Sequence, residues 1–232
     1  MKITESTTIT VCIPCHISHV KRLEPLFKSL ELQTRLPDEV IVLINPVKED
    51  ERNTIVTPTT TLNVNFILSE NSNSPASARN ECVKHVTTKD DTYNNIISFI
   101  DADDIPSPNK LQYVENFFNS PASYMDDGVA LVHSFQTNNE SFPEDTTTTG
   151  YTKYEPCEIN PTCTNLQVKS NSPIHHGHVS VKKEVFETLQ YNPDYYRGEG
   201  GLFLQEIIRS GKKVFYLNEV LMSYNTEHSF VK

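Results

Sequence analysis

The hydrophobic positions of this chain fall into short unbroken runs separated by longer amphipathic stretches. Ile9-Thr10-Val11-Cys12-Ile13 is stopped by Pro14, and Glu39-Val40-Ile41-Val42-Leu43-Ile44 is ended by Asn45-Pro46. Val64 to Leu68, Ile96 to Ile100, Val129 to Phe135 and Lys213 to Leu217 follow. Runs this short, rich in β-branched and aromatic residues, read as buried strands. Between the first two runs, Leu23, Leu26, Phe27, Leu30 and Leu32 recur mostly at helical spacing within 20–34. Ser74 and Pro75 suit the N-cap and first position of a helix carrying Arg79. Further helices are predicted over 109–119, 182–189 and 202–210, the last stopped by Gly211. Strand, helix and strand in about 35 residues make a right-handed parallel βαβ unit. The chain therefore reads as α/β, with a mostly parallel central sheet flanked by helices. Residues 136–170, rich in Asn, Thr and Pro, read as loops or a variable insertion. No linker separates two autonomous units, so one domain is expected over 1–232.

One run ends abruptly. Ile96-Ile97-Ser98-Phe99-Ile100 leads straight into Asp101-Ala102-Asp103-Asp104. A buried strand cannot continue through three carboxylates, so these sit at its C-terminal mouth, where open α/β sheets bind ligands. Like charges about 4 Å apart repel by roughly 4 kcal/mol at an effective dielectric of about 20. The cluster is either a solvated acidic turn or a site for a hard divalent ion, Mg²⁺ or Mn²⁺.

Composition narrows the classes. The formal net charge of -10 excludes a basic field for nucleic acid or anionic membrane, but not an anionic small ligand held by local cations. Five cysteines in irregular spacing make no disulfide framework. Cys12 and Cys15 form a lone CxxC, open to a redox reading or to core filling. The polar N-terminus and the absence of a long apolar segment predict a soluble cytoplasmic protein. No glycine-rich phosphate loop is present, which weighs against ATPase and dehydrogenase readings. Arg79 can give a diphosphate a bidentate contact, or can be an ordinary surface arginine.

The order of these segments resembles family 2 glycosyltransferases, which have the GT-A fold. Ser29-Leu30-Glu31-Leu32-Gln33-Thr34 resembles the family's first-helix ending, and Asn73 to Asn80 its small-residue stretch closing in Arg-Asn. Phe99 to Asp104 resembles the DxD segment, and Tyr224 to Ser229 the closing tyrosine-histidine segment. The resemblance implies a nucleotide-sugar half over about 1–104 and an acceptor half over about 105–232. It implies that Asp103 coordinates a divalent metal (Mn²⁺ or Mg²⁺) bridging the donor diphosphate. Asp101 would contact the ribose or assist the metal, and Asp104 would support the site. Arg79 would lie near the nucleotide, Pro14 and Cys15 would border its base, and His228 would be a further metal or phosphate ligand.

The implied reaction is a single displacement that inverts the anomeric centre, with a carboxylate taking the acceptor proton. The donor would be a nucleotide-diphosphate sugar, UDP-linked most often in this family. The base would be Glu199 in Gly198-Glu199-Gly200-Gly201, although Gly200 stands where the family usually has aspartate. Glu199 could instead stabilise a helix N-terminus. Asn45 stands where an aspartate is common. His175-His176-Gly177-His178 would line the acceptor side with Gly198. In an extended strand alternate side chains diverge, so its imidazoles would not converge on one ion. Tyr191, Tyr195 and Tyr196 would stack on a sugar or pack the following helix. Two rivals remain: a non-catalytic sugar-nucleotide or glycan binder, suggested by Gly200, and a nucleotidyltransferase, which should show a glycine- and lysine-rich triphosphate loop where Cys15 to His19 stands.

Overall fold

The computed structural model of the chain describes residues 6–71, 74–87, 93–137, 142, 151–153 and 175–226. Its strands, numbered in chain order, join in one nine-stranded sheet. Strand β1 (Ser6–His16) runs parallel to β2 (Glu39–Asn45) and to β4 (Tyr93–Phe99), and β2 runs parallel to β3 (Val64–Leu68). Beyond β4 come β8 (Ser180–Lys182), β6 (Gly128–Thr137), β9 (Lys213–Tyr224) and β5 (Ile105–Pro106). Strand β7 (Tyr151–Lys153) pairs antiparallel with β9. The long ladders are parallel; the antiparallel ones, β4–β8, β6–β8, β5–β9 and β7–β9, span only two or three residue pairs each.

The alternation of side chains along each strand divides the core in two. On one face Val11, Ile13, Val42 and Ile44 pack with Leu26, Phe27 and Leu30 of α1 (Leu23–Glu31). Leu111, Val114, Phe117 and Phe118 of α3 (Lys110–Phe118) join them there. The short helix α4 (Pro121–Tyr124) leads from α3 to β6. On the other face Cys12, Ile41, Leu43 and Phe99 pack with Ala78 and Cys82 of α2 (Pro75–Lys84). Phe203, Leu204 and Ile207 of α5 (Glu199–Arg209) complete that layer. Cys12 and Cys15 thus face opposite sides of the sheet, and both are free thiols. The redox reading of their spacing fails for that reason.

Several local expectations hold. Ser74 accepts from the Ser77 backbone N–H at 3.2 Å with Pro75 at the first helical position, and Gly211 follows α5 at φ 85°. Others shift for clear reasons. The helix expected over 20–34 becomes a 3₁₀ segment (Ile17–Arg22) followed by α1, because Pro25 has no N–H to donate and fits only a helix's first turn. The last strand runs on to Tyr224, through a register shift against β6 between Leu217, opposite His133, and Val220, opposite Ser134. The 182–189 helix is a 3₁₀ turn over Lys183–Glu187. Helix α5 begins at Glu199, with Gly200 and Gly201 buried in its first turn. Among the described residues no helix is long and apolar enough to cross a membrane.

Parallel ladders put the C-terminal ends of β1, β2 and β4 on one edge, with His16 opposite Asn45 and Asp101 to Asp104 just beyond β4. Side chains staple that edge. Gln33 donates to the Ser107 carbonyl at 2.6 Å and accepts from the Leu111 N–H at 3.1 Å. The Thr34 N–H donates to the Pro108 carbonyl at 2.9 Å. Asn80 donates to the Tyr191 carbonyl at 2.7 Å and accepts from the Tyr191 N–H at 2.9 Å. Asn80→Ala removes both of the latter bonds and leaves two backbone groups unpaired. The expected loss is about 1–3 kcal/mol, read as a lower midpoint in urea unfolding at unchanged slope. An unchanged midpoint would show that water replaces the amide there.

Candidate active site

Arg79 sits at the centre of the edge. It projects from the second turn of α2, where Ala76 and Ala78 beside it are small enough for close packing. The side chain is 2% exposed, with Nη2 2.7 Å from Asp101 Oδ1 and Nη1 2.7 Å from Glu199 Oε1. Its guanidinium lies 5.7 Å from the centre of the Tyr191 ring, which stacks on Phe203 at 4.1 Å. Burial alone would lower the arginine pKa, but Asp101 and Glu199 outweigh it and hold the cation firmly charged. Burial would raise Asp101; Arg79 reverses this and lowers it. Arg79 is therefore not the surface arginine that its helix position allowed. Nor does it present an open fork to a phosphate, because both Nη nitrogens already hold carboxylates.

The three aspartates separate into distinct roles. Asp104 is fully buried, accepts from the Asn225 N–H at 2.9 Å and so fixes the chain leaving β9. Burial, with Asp101 nearby, raises its pKa well above the carboxylate range. Asp103 is partly buried and stands 3.9 Å from His19 Nδ1. Burial and Asp101 raise it too, with His19 and Arg22 opposing. Asp101 keeps Oδ1 on Arg79 and turns Oδ2 to within 3.8 Å of His178 Nε2.

The resemblance puts His178 on the acceptor side, and an extended tract would not bring its imidazoles to one ion. The backbone there is not extended. Residues 176–178 form a 3₁₀ turn closed by the His178 N–H on the His175 carbonyl at 3.2 Å. Positions three apart eclipse in that geometry. The His175 and His178 rings accordingly stack, with centres 4.2 Å apart at 26°. A side chain at Gly177 would meet Arg79 Nη2 and His175 Cε1, each at 2.9 Å, so only glycine lets the turn close against the arginine. Burial drives both imidazoles down to about 3, leaving them neutral. His178 Nε2 also approaches Asp104 Oδ2 to 2.7 Å, though without an aligned imidazole N–H. Burial favours an uncharged pair there, a carboxylic acid against an imidazole.

The site fits a divalent cation. His175 Nδ1 and His178 Nδ1 are buried with no hydrogen-bond partner. Such orphans cost about 1–3 kcal/mol each unless something binds them. One atom each from Asp101, His175 and His178 lie within 4.8 Å of one another. Behind them, Lys110 and His133 form a fully buried pair through Lys110 Nζ and His133 Nε2. Burial brings Lys110 down to about 7 against the pull of Asp104. Lys110 and His133 were missed in the sequence. Both had a signal: Lys110 lies on the apolar stripe of Val114 and Phe117, and His133 interrupts an apolar strand.

The other candidates lie at the same edge or outside the description. Pro14, Cys15 and Asn45 end β1 and β2, with Cys15 and Asn45 buried. Burial, then Asp103, pushes the Cys15 thiol up to about 12. Gly198 precedes α5 at φ 72°, a conformation that suits glycine, and sets Glu199 on the helix's first turn. Tyr191 is fully buried and packs the helix, whereas Tyr195 and Tyr196 are exposed. Gly177 is buried beside Arg79, and His176 opens the 3₁₀ turn. His228 lies outside the described residues.

Comparisons with known proteins agree with this architecture. Among solved structures, S. aureus TarS 1–349 is similar with a TM-score of 0.60 at 15% identity, over 94% of this chain and 60% of that chain. Its complex with UDP gives a TM-score of 0.60 at 16% identity, over 94% and 60% of the two chains. Its complex with UDP-GlcNAc gives 0.59 at 14% identity, over 95% and 59%. Identities this low show a shared fold, GT-A, and the chain spans about 60% of the length of those TarS chains. No curated protein matches the chain at a significant level. The sequence model of glycosyl transferase family 2 matches residues 10–189, from β1 through the aspartates and the histidine turn. The chain belongs to glycosyl transferase family 2.

Proposed function

We propose that the chain moves a sugar from a UDP-linked donor to an acceptor hydroxyl with inversion at the anomeric carbon. The observation that carries this reading is Arg79, which draws Asp101 of the DxD segment and Glu199 of the glycine-rich segment to 2.7 Å on either side of one guanidinium. Donor carboxylates and a candidate base thereby share one rigid unit. The UDP and UDP-GlcNAc complexes of the structurally similar TarS support the choice of nucleotide.

A divalent cation, when bound, neutralises charge on the departing diphosphate. Asp101 and Asp103 supply carboxylates toward that side of the site. The ends of β1 and β2, at Pro14, Cys15 and Asn45, border the base, with Cys15 offering backbone because its thiol is buried. Glu199 accepts from Arg79 through Oε1, which fixes the carboxylate's orientation, and its second oxygen takes the acceptor proton. The whole chain acts as one unit, with the acceptor entering past Gly198 and the exposed Tyr195 and Tyr196. A cytoplasmic location fits the three free thiols among the described residues. The rival is a binder without turnover, favoured by Gly200, which places no second carboxylate in the first turn of α5. Assaying donor hydrolysis and transfer with Mn²⁺, across UDP-, GDP- and dTDP-sugars, separates them. Binding with no turnover over a broad acceptor panel selects the binder.

Two substitutions test the assignment. Glu199→Gln keeps an oxygen for Arg79 but removes the base, so turnover should fall about 10²–10⁴-fold while donor affinity stays within about threefold. Equal losses in both would make Glu199 structural. Gly177→Ala pushes a methyl into Arg79 and His175, costing about 1–3 kcal/mol of stability and at least about tenfold in donor affinity. Donor affinity unchanged by calorimetry would show that the two side chains yield without consequence.

A further inference from the structure

The resemblance places the metal on the aspartates of the DxD segment, an oxygen-donor set. The structure offers a different one. Asp101 is the only one of the three aspartates grouped with both imidazoles in a metal-sized cluster. Its Oδ1 is held by Arg79, so its Oδ2 is aimed by a partner on the opposite oxygen, as in carboxylates that are fixed from behind for ligation. Asp104 lies against His178 Nε2 in the same supporting position, fully buried and itself anchored by the Asn225 N–H. Asp103 stands apart, toward His19 and Cys15.

Two features make the imidazoles ligands and not filler. They are stacked face to face although each has hydrogen-bonding capacity, and Nδ1 of each is buried without a partner. The turn that brings them together depends on Gly177, whose missing side chain also admits Arg79. One ligand atom each from Asp101, His175 and His178 lies within 4.8 Å of the others, close to the roughly 3.0–4.2 Å that separates two atoms each about 2.1 Å from one ion.

Resting on the nucleotide-sugar reading, we propose that Asp101, His175 and His178 hold the divalent cation, as a mixed nitrogen and oxygen site that selects a first-row transition ion over Mg²⁺. Imidazole suits Zn²⁺ and the later first-row ions best, and Mn²⁺, the weakest binder of that series, still accepts nitrogen ligands more readily than Mg²⁺, which requires hard oxygen ligands and keeps its waters. Three protein ligands leave positions open for diphosphate oxygens.

The test is metal binding to the intact protein without any turnover. Titration calorimetry should show Mn²⁺ binding at least about tenfold tighter than Mg²⁺. Pulsed electron paramagnetic resonance of the Mn²⁺ form should show nitrogen couplings from two imidazoles. His175→Ala should remove one coupling and weaken Mn²⁺ at least about tenfold, with folding checked by circular dichroism. Should that variant not fold, the nitrogen couplings of the unaltered protein decide the matter alone. No nitrogen coupling, equal affinity for Mg²⁺ and Mn²⁺, or no cation binding overturns the proposal. UDP-sugar binding in the same samples keeps the two ideas apart. UDP-sugar bound with an ion that lacks nitrogen ligands sinks this donor set and leaves the glycosyltransferase reading standing. Imidazole-bound Mn²⁺ with no UDP-sugar affinity does the reverse.

Discussion

The rest of the site depends on one buried guanidinium. Arg79 is the point where α2, the end of β4 and the start of α5 meet, and it meets them through charge. A cation removed from water is costly unless it is paired, and here two carboxylates at 2.7 Å take up both Nη groups, while Nε stays buried without a partner. The dependence runs both ways. Asp101 and Glu199 would repel each other across a closed space without the arginine. The stability gained from such a triad is small against apolar packing of the same volume. What it provides is registry: Asp101 can point Oδ2 at the imidazoles only because Oδ1 is held. Tyr191 floors the arrangement, and Asn80, the next residue along α2, holds the Tyr191 backbone in place.

That neighbour relation explains why the family's short sequence signatures combine reactive and unreactive residues. In Arg79-Asn80, one side chain enters the site and the other staples the segment beneath it. Gln33 and Thr34 touch no aspartate, yet they bind Ser107, Pro108 and Leu111, immediately after the acidic turn. They set where α3 starts, and α3 starts with Lys110, buried against His133 behind the aspartates. The signatures thus mark the hydrogen bonds that fix the edge of the sheet as much as the groups that act there.

Much of this was legible in the chain. Unbroken apolar runs marked the strands because parallel strands are buried on both faces, and three aspartates after one of them had to lie at its mouth. Ser74-Pro75 marked a helix start by chemistry that acts within three residues. The histidine turn was not legible, because its geometry is not local. Reading 175–178 as extended was reasonable from the apolar residues that follow, but the backbone turns there to pack against α5 and Arg79, and Gly177 permits it. The glycines at 200 and 201 misled in the opposite direction: they moved the expected helix start to 202, whereas they are buried in the first turn of a helix that begins at Glu199. Pro25, which fits only a helix's first turn, is the local signal that α1 starts at Leu23 and not at Val20. The odd, buried Lys110 and His133 were readable only as violations of an apolar pattern, and such violations gather where function or strain is built in.

Charge balance links the site to its ligand. Asp101 and Glu199 share one positive charge, so the triad keeps a net negative charge. Asp103 adds carboxylate character, and the two imidazoles, neutral through burial, contribute no positive charge. A diphosphate brings further negative charge to within a few ångströms. Each like-charge pair about 4 Å apart costs roughly 4 kcal/mol at an effective dielectric of about 20. Arg79 cannot offset this, since both of its Nη nitrogens are engaged and its side chain is buried. The chain as a whole, at a formal -10, supplies no attractive field either. On the proposed reading, an anionic donor would therefore be held at this edge together with a cation. Neutral imidazoles beside an oriented carboxylate would be a better host for that cation than three crowded carboxylates, because they would bind it without adding charge that must be offset when it leaves.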